Sequence, residues 1–193
     1  MKQVILIHGM PDGIEEYHSG DLPSSQRHWL SWIQKQLSHR DILCQSLQMP
    51  KPYEPDYSEY CKVFSQMNIS NETILVGHSL GGGFLLRYFS EHPELAPRKI
   101  ILVAPWIDPD NYLQEKFGKS DFFDFNLDPA LTDRTQVVCL SSLDDMDEIL
   151  KSVQQIREKL PNIIYYEFTD KGHFTESHLG TKEFPELLEI ILK

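Results

Sequence analysis

A serine flanked by glycines, a histidine far downstream and a run of aspartates between them are the residues of this 193-residue chain best suited to chemistry. Gly77-His78-Ser79-Leu80-Gly81 reads G-x-S-x-G. It follows the apolar run Thr73-Ile74-Leu75-Val76 and opens a helical stretch, Phe84-Leu85-Leu86-Arg87-Tyr88-Phe89. Strand, turn, helix is the context in which this pattern holds a serine on a sharp, strained turn with its hydroxyl presented for attack. Gly81, Gly82 and Gly83 would each cost a helix about 1 kcal/mol relative to alanine. Crowding at such a turn explains them; helix stability does not. The alternative is a glycine-rich structural turn with a passive serine.

A serine hydroxyl is a weak nucleophile until a neighbouring base takes its proton. Among the eight histidines, His173 stands in the loop Asp170-Lys171-Gly172-His173-Phe174, directly after the run Ile163-Ile164-Tyr165-Tyr166-Glu167-Phe168. That is where a base is expected, with His178 as the rival. His78 adjoins Ser79, but its side chain is expected to leave the turn in another direction. His8 ends the first apolar run and shapes the loop there. His18, His28, His39 and His92 fall in loops or helices. An acid that fixes the imidazole's tautomer and stabilises the imidazolium is expected in Ser142-Leu143-Asp144-Asp145-Met146-Asp147-Glu148. Asp145 leads and Asp144 is second, although Asp145 with Glu148 also reads as the capping-box start of a helix. Donors for a developing oxyanion would be the backbone N–H groups of Leu80, after the serine, and Met10, after the first strand.

These residues need a scaffold. Six runs rich in Val, Ile and Leu read as strands: 3–8, 41–47, 73–78, 99–104, 135–141 and 162–168. Helical spacing lies between them at Trp29, Trp32, Ile33 and Leu37, over 147–160, and over 183–192. Continuous apolar strands alternating with amphipathic helices predict an α/β fold whose parallel sheet is covered on both faces. Such sheets bind ligands beyond the carboxyl ends of their strands, at a topological switch point. Residues 1–193 read as one domain, with no repeat or linker.

Composition narrows the function classes. The hydrophobic fraction is 40%, ordinary for a globular chain, and the net charge is -11, from 29 acidic and 18 basic residues. That sign repels phosphate backbones and anionic headgroups, so neither nucleic acid nor membrane is an expected partner. The apolar part of Met1–Gly9 is too short for a signal peptide or a membrane span. Cys44, Cys61 and Cys139 are an odd number, widely spaced. Neither a metal site nor a disulfide framework is expected, and a reducing, cytoplasmic setting is.

With those residues in view, the chain resembles the family of small serine hydrolases that includes YdeN and retinoblastoma-binding protein nine. The resemblance rests on Val4-Ile5-Leu6-Ile7-His8-Gly9, His28-Trp29 with Trp32, Met49-Pro50-Lys51-Pro52 with Pro55, the G-x-S-x-G sequence, the Ser142 to Asp145 spacing, and Gly172-His173-Phe174. It implies a reduced, single-domain α/β-hydrolase fold of about six parallel strands with helices on both faces. It also implies a triad of Ser79, Asp145 and His173. The L-x-C-x-E motif tied to retinoblastoma-protein binding does not occur here, so that partner is not carried over; other protein partners are left open.

The expected activity is hydrolysis of a small acyl ester through an acyl-enzyme, without a cofactor. Thioester or peptide cleavage by the same machinery, or a binding protein on an idle hydrolase fold, are the alternatives. Trp106, Phe117, Phe122, Phe123 and Phe125 either line an acyl pocket or pack a loop that crosses the sheet. The loop 10–26 carries Asp12, Glu15, Glu16 and Asp21. It either disfavours anionic substrates at the cleft mouth or is simply a solvated acidic loop.

Overall fold

The structure, a computed structural model, describes residues 2–20, 22–118 and 121–193. Asp21 of the acidic loop therefore lies outside the described residues. The apolar runs form six strands: β1 (Gln3–Ile7), β2 (Leu43–Leu47), β3 (Thr73–His78), β4 (Lys99–Val103), β5 (Gln136–Ser142) and β6 (Ile164–Phe168). They make one sheet in the order β2-β1-β3-β4-β5-β6, every neighbouring pair parallel.

Val4 to Ile7, all of β3 and all of β4 are buried, as is β5 after Gln136. Successive strand residues point to opposite faces, so continuous burial means that both faces are covered there. The edges differ. Leu43 in β2 and Ile164 and Tyr166 in β6 are exposed. Coverage of both faces thus holds for the four central strands, while an edge strand leaves part of its surface to solvent.

The helices are α1 (Ile14–Ser19), α2 (Leu30–Ser38), α3 (Tyr57–Phe64), α4 (Leu80–Glu91), α5 (Tyr112–Phe117), α6 (Leu131–Arg134), α7 (Asp147–Lys159), α8 (Glu176–Leu179) and α9 (Pro185–Leu192). In α2, Leu30, Ile33 and Leu37 are buried, and in α7, Ile149, Val153 and Ile156 are. Both sets fall on one side of a 3.6-residue turn, and each such side chain contributes about 1.5–3 kcal/mol on burial. Pro185 opens α9, where its missing N–H breaks no helical bond. Helix α3 has no counterpart among the sequence expectations. Asp56 caps it by accepting the Glu59 N–H at 3.1 Å, and Tyr57, Tyr60 and Phe64 are its buried face.

The strand order turns back between β1 and β3: the chain moves outward from β1 to β2, then returns to β3 on the other side of β1. The carboxyl ends of β1 and β3 flank that switch point. His8-Gly9-Met10 follows one, and Ser79 follows the other.

Candidate active site

Ser79 sits between β3 and α4 with φ 51° and ψ −118°. A non-glycine residue held there stores about 1–3 kcal/mol of strain unless its surroundings fix it. Here they do. The Ser79 N–H donates to Val103 O at 2.9 Å, and its carbonyl accepts from the N–H groups of Gly82 (2.9 Å), Gly83 (3.2 Å) and Trp106 (3.1 Å). The glycine run answers to crowding, as expected. A Cβ on Gly77 would lie 2.5 Å from the Gly81 carbonyl oxygen, and one on Gly81 would lie 2.6 Å from that of Ile7. The loop after β1 also runs against the serine, since a Cβ on Gly9 would stand 3.0 Å from the Ser79 Cβ.

His173 Nδ1 is 3.1 Å from both carboxylate oxygens of Asp145. The two side chains are 11% and 1% exposed. Asp145 Oδ1 also accepts the Met146 N–H at 2.7 Å. The capping-box role weighed for Asp145 does not occur: the N-cap of α7 is Met146, with no side-chain cap bond. Asp144 points elsewhere. It is exposed, its Oδ1 accepts the Gly172 N–H at 3.0 Å and the Ser142 hydroxyl, and those bonds, the hydroxyl's first, hold its carboxyl below the usual range.

Ser79 and His173 line one cavity of about 300 Å³, together with Met10, Arg27, His28 and Met146. Leu80 is the first residue of α4, where a backbone N–H has no carbonyl one turn back to bond. Its side chain is fully buried.

Four further histidines, His8, His28, His78 and His178, line this cavity, and the sequence reading weighed only His178 for a part in the site, as the rival base. His78 Nε2 donates to the His173 carbonyl at 2.9 Å, and the two rings lie 4.9 Å apart. His28, at φ 53°, accepts the Glu176 N–H on Nδ1 at 3.1 Å. His8 donates from Nδ1 to Gly9 O at 2.8 Å and accepts the Met49 N–H on Nε2 at 3.0 Å, which ties the loop after β1 to the segment after β2. The signal for two of them was available: His8 follows β1 and His78 ends β3, the two strands that flank the switch point.

Burial pushes the His8 imidazole down to about 4. The folded protein therefore binds this proton less tightly than the unfolded chain, whose histidines titrate near 6.5. Stability present above pH 6.5 is lost as the pH falls toward the folded value. Between pH 6.5 and 5 this one group should remove about 1.5 kcal/mol of unfolding free energy. Urea titrations at the two pH values should show His8→Gln losing less stability than the wild type by that amount.

Arg27 staples the loop after β1. It donates to Leu22 O (2.9 Å), Glu16 O (2.9 Å), Tyr17 O (3.2 Å) and the Glu16 carboxylate (3.2 Å). Asp12 and Glu16 do line the cavity, but the Arg27 pairing offsets the Glu16 charge. None of Trp106, Phe117, Phe122, Phe123 and Phe125 lines it. Phe122 packs edge-on to Tyr60 at 5.1 Å and Phe123 to Trp106 at 5.5 Å. Phe117 borders a separate opening with Ile14 and Tyr53.

A parallel sheet with this order, carrying a serine on a left-handed turn after β3, has the architecture of the α/β hydrolases. A family model described as serine hydrolase matches residues 19–191, and the chain belongs to that family. It is similar to the putative hydrolase YdeN of Bacillus subtilis (strain 168), at 27% identity over 98% of this chain and 94% of that protein. The serine hydrolase RBBP9 of Rattus norvegicus is 25% identical over 84% of each chain. The crystal structure of the B. subtilis ydeN product superposes with a TM-score of 0.79 at 24% identity, covering 100% of this chain and 97% of that one. Est1E from Butyrivibrio proteoclasticus shares the fold, with a TM-score of 0.67 at 12% identity, covering 98% and 85%.

Proposed function

We propose that this serine hydrolase cleaves small acyl esters through an acyl-enzyme on Ser79. His173 Nε2 takes the hydroxyl proton as Ser79 Oγ attacks the ester carbonyl. Asp145 holds the other ring nitrogen as its donor and stabilises the imidazolium. The oxyanion accepts from the N–H groups of Leu80 and Met10. Collapse expels the alcohol with the proton returned by His173, and water then attacks the acyl-serine by the same steps to release the acid. The observation that carries this reading is the His173–Asp145 pair, with both carboxylate oxygens 3.1 Å from Nδ1, in one cavity with a strained serine. A cavity of about 300 Å³ suits a short acyl group. The three free thiols suit a reducing, cytoplasmic setting, and among the described residues no helix is long and apolar enough to cross a membrane.

The test is reaction with a fluorophosphonate probe alongside turnover of 4-nitrophenyl acetate. A single adduct on Ser79 and turnover are expected; a folded protein that does neither would overturn the reading. For the acid, Asp145→Asn should lower kcat by about 10³- to 10⁴-fold, and Asp144→Asn by much less. Turnover read beside the melting temperature separates a loss of catalysis from a loss of fold.

A further inference from the structure

The loop that carries His173 is held by side chains at five backbone groups between Lys171 and Phe174. Lys171 N–H donates to Ser142 Oγ at 3.0 Å, and Gly172 N–H to Asp144 Oδ1 at 3.0 Å. Trp29 Nε1 donates to Phe174 O at 3.0 Å. His173 itself is gripped on both sides of its Cα by imidazoles: His178 Nδ1 accepts its N–H at 3.1 Å, and His78 Nε2 donates to its carbonyl at 2.9 Å. With Asp145 on Nδ1, only Nε2 of the His173 ring is left to act.

We propose that His178 is a positioning residue for His173, acting as a neutral hydrogen-bond acceptor. This rests on the reading of His173 as the base. Three observations assign the role to His178. Its Nδ1 is occupied by the His173 N–H, with the Thr175 hydroxyl 3.0 Å from the same nitrogen. Its ring covers Gly172, where a Cβ would lie 2.7 Å from His178 Cγ; the left-handed φ of 46° there turns the chain toward the site. And His178 is itself exposed, on α8, so its ring contributes little to the core. A peptide N–H beside a buried base loses its acceptor when this ring is removed, and the base is then free to drift. Displacement of a reacting group by about 1 Å is enough to lower a rate by roughly 100-fold.

Three substitutions separate acceptor from bulk. Asparagine places an oxygen near the Nδ1 position, glutamine places it one bond farther out, and alanine has none. His178→Ala and His178→Gln should lower kcat for 4-nitrophenyl acetate by roughly 10- to 100-fold with KM nearly unchanged. The rate of fluorophosphonate labelling should fall by the same factor. His178→Asn should restore both to within a few-fold of wild type. Should alanine fail to fold, the contrast between asparagine and glutamine still decides. Full activity in the glutamine or alanine variant, or equal impairment in asparagine and glutamine, would overturn the role of His178. Absence of labelling in the wild type would instead overturn the hydrolytic reading on which it rests.

Discussion

Ser79→Ala is expected to abolish fluorophosphonate labelling and to lower ester turnover by about 10³- to 10⁶-fold. The substitution removes one oxygen at an 8%-exposed position and leaves the backbone bonds of the turn untouched. Its φ of 51° stays strained with alanine as with serine, so the fold should persist and the loss should be chemical. The residual rate would come from oxyanion donors and binding alone, which survive loss of a nucleophile. Intact labelling in the alanine variant would move the nucleophile elsewhere and end the proposed mechanism.

His173→Ala should match that loss, because a nucleophile and its base act as one unit. The double variant Ser79→Ala/His173→Ala should then be little slower than either single variant; multiplicative losses would show that the two side chains work independently. The single histidine variant should also be less stable than Ser79→Ala. Its removal leaves the Asp145 carboxylate, 1% exposed, with the Met146 N–H as its one remaining hydrogen-bond donor among the described residues, and a buried charge stripped of a partner is costly. Comparing the melting temperatures of the two variants checks this difference.

Much of the fold could be read from the chain because central parallel strands are apolar on both faces. Val4 to Ile7 and Ile100 to Val103 have no polar residue to blur the pattern. The expected ends were least accurate at the edges: 41–47 became Leu43–Leu47, and 162–168 became Ile164–Phe168. An edge strand has one neighbour to pair with: β2 begins at Leu43, opposite the first residue of β1, and β6 begins at Ile164 although β5 runs two residues further back. Helix α3 was missed although Asp56 with Glu59, followed by Tyr60 and Phe64, carries both a start signal and the right spacing. Aromatic residues dominate that face, and they do not stand out as a helix-forming run.

At the site, position after a strand singled out Ser79 and His173, and the structure brings both to one cavity. Which of Asp144 and Asp145 faces His173 could be seen only in three dimensions. Adjacent residues in a loop point in different directions: the Asp145 carboxylate faces the His173 ring and that of Asp144 faces the Gly172 N–H. His178, the rival base, lines the same cavity but has its Nδ1 on the His173 backbone N–H. No local pattern encodes that contact, since it depends on the left-handed turn at Gly172.

The placement of β1 also bears on how the chain is assembled. This strand lies inside the sheet, yet Val4 pairs with Cys44 on one side and Ile74 on the other, both supplied by later sequence. A chain emerging from the ribosome would present Val4-Ile5-Leu6-Ile7, each wholly buried at the end, with one ladder edge open until β2 is out and the other until β3 is. Pairings so distant in sequence form slowly, and unpaired apolar strands adhere to one another meanwhile. Yield on refolding should therefore fall as protein concentration rises, with aggregation competing against the docking of β3 onto β1.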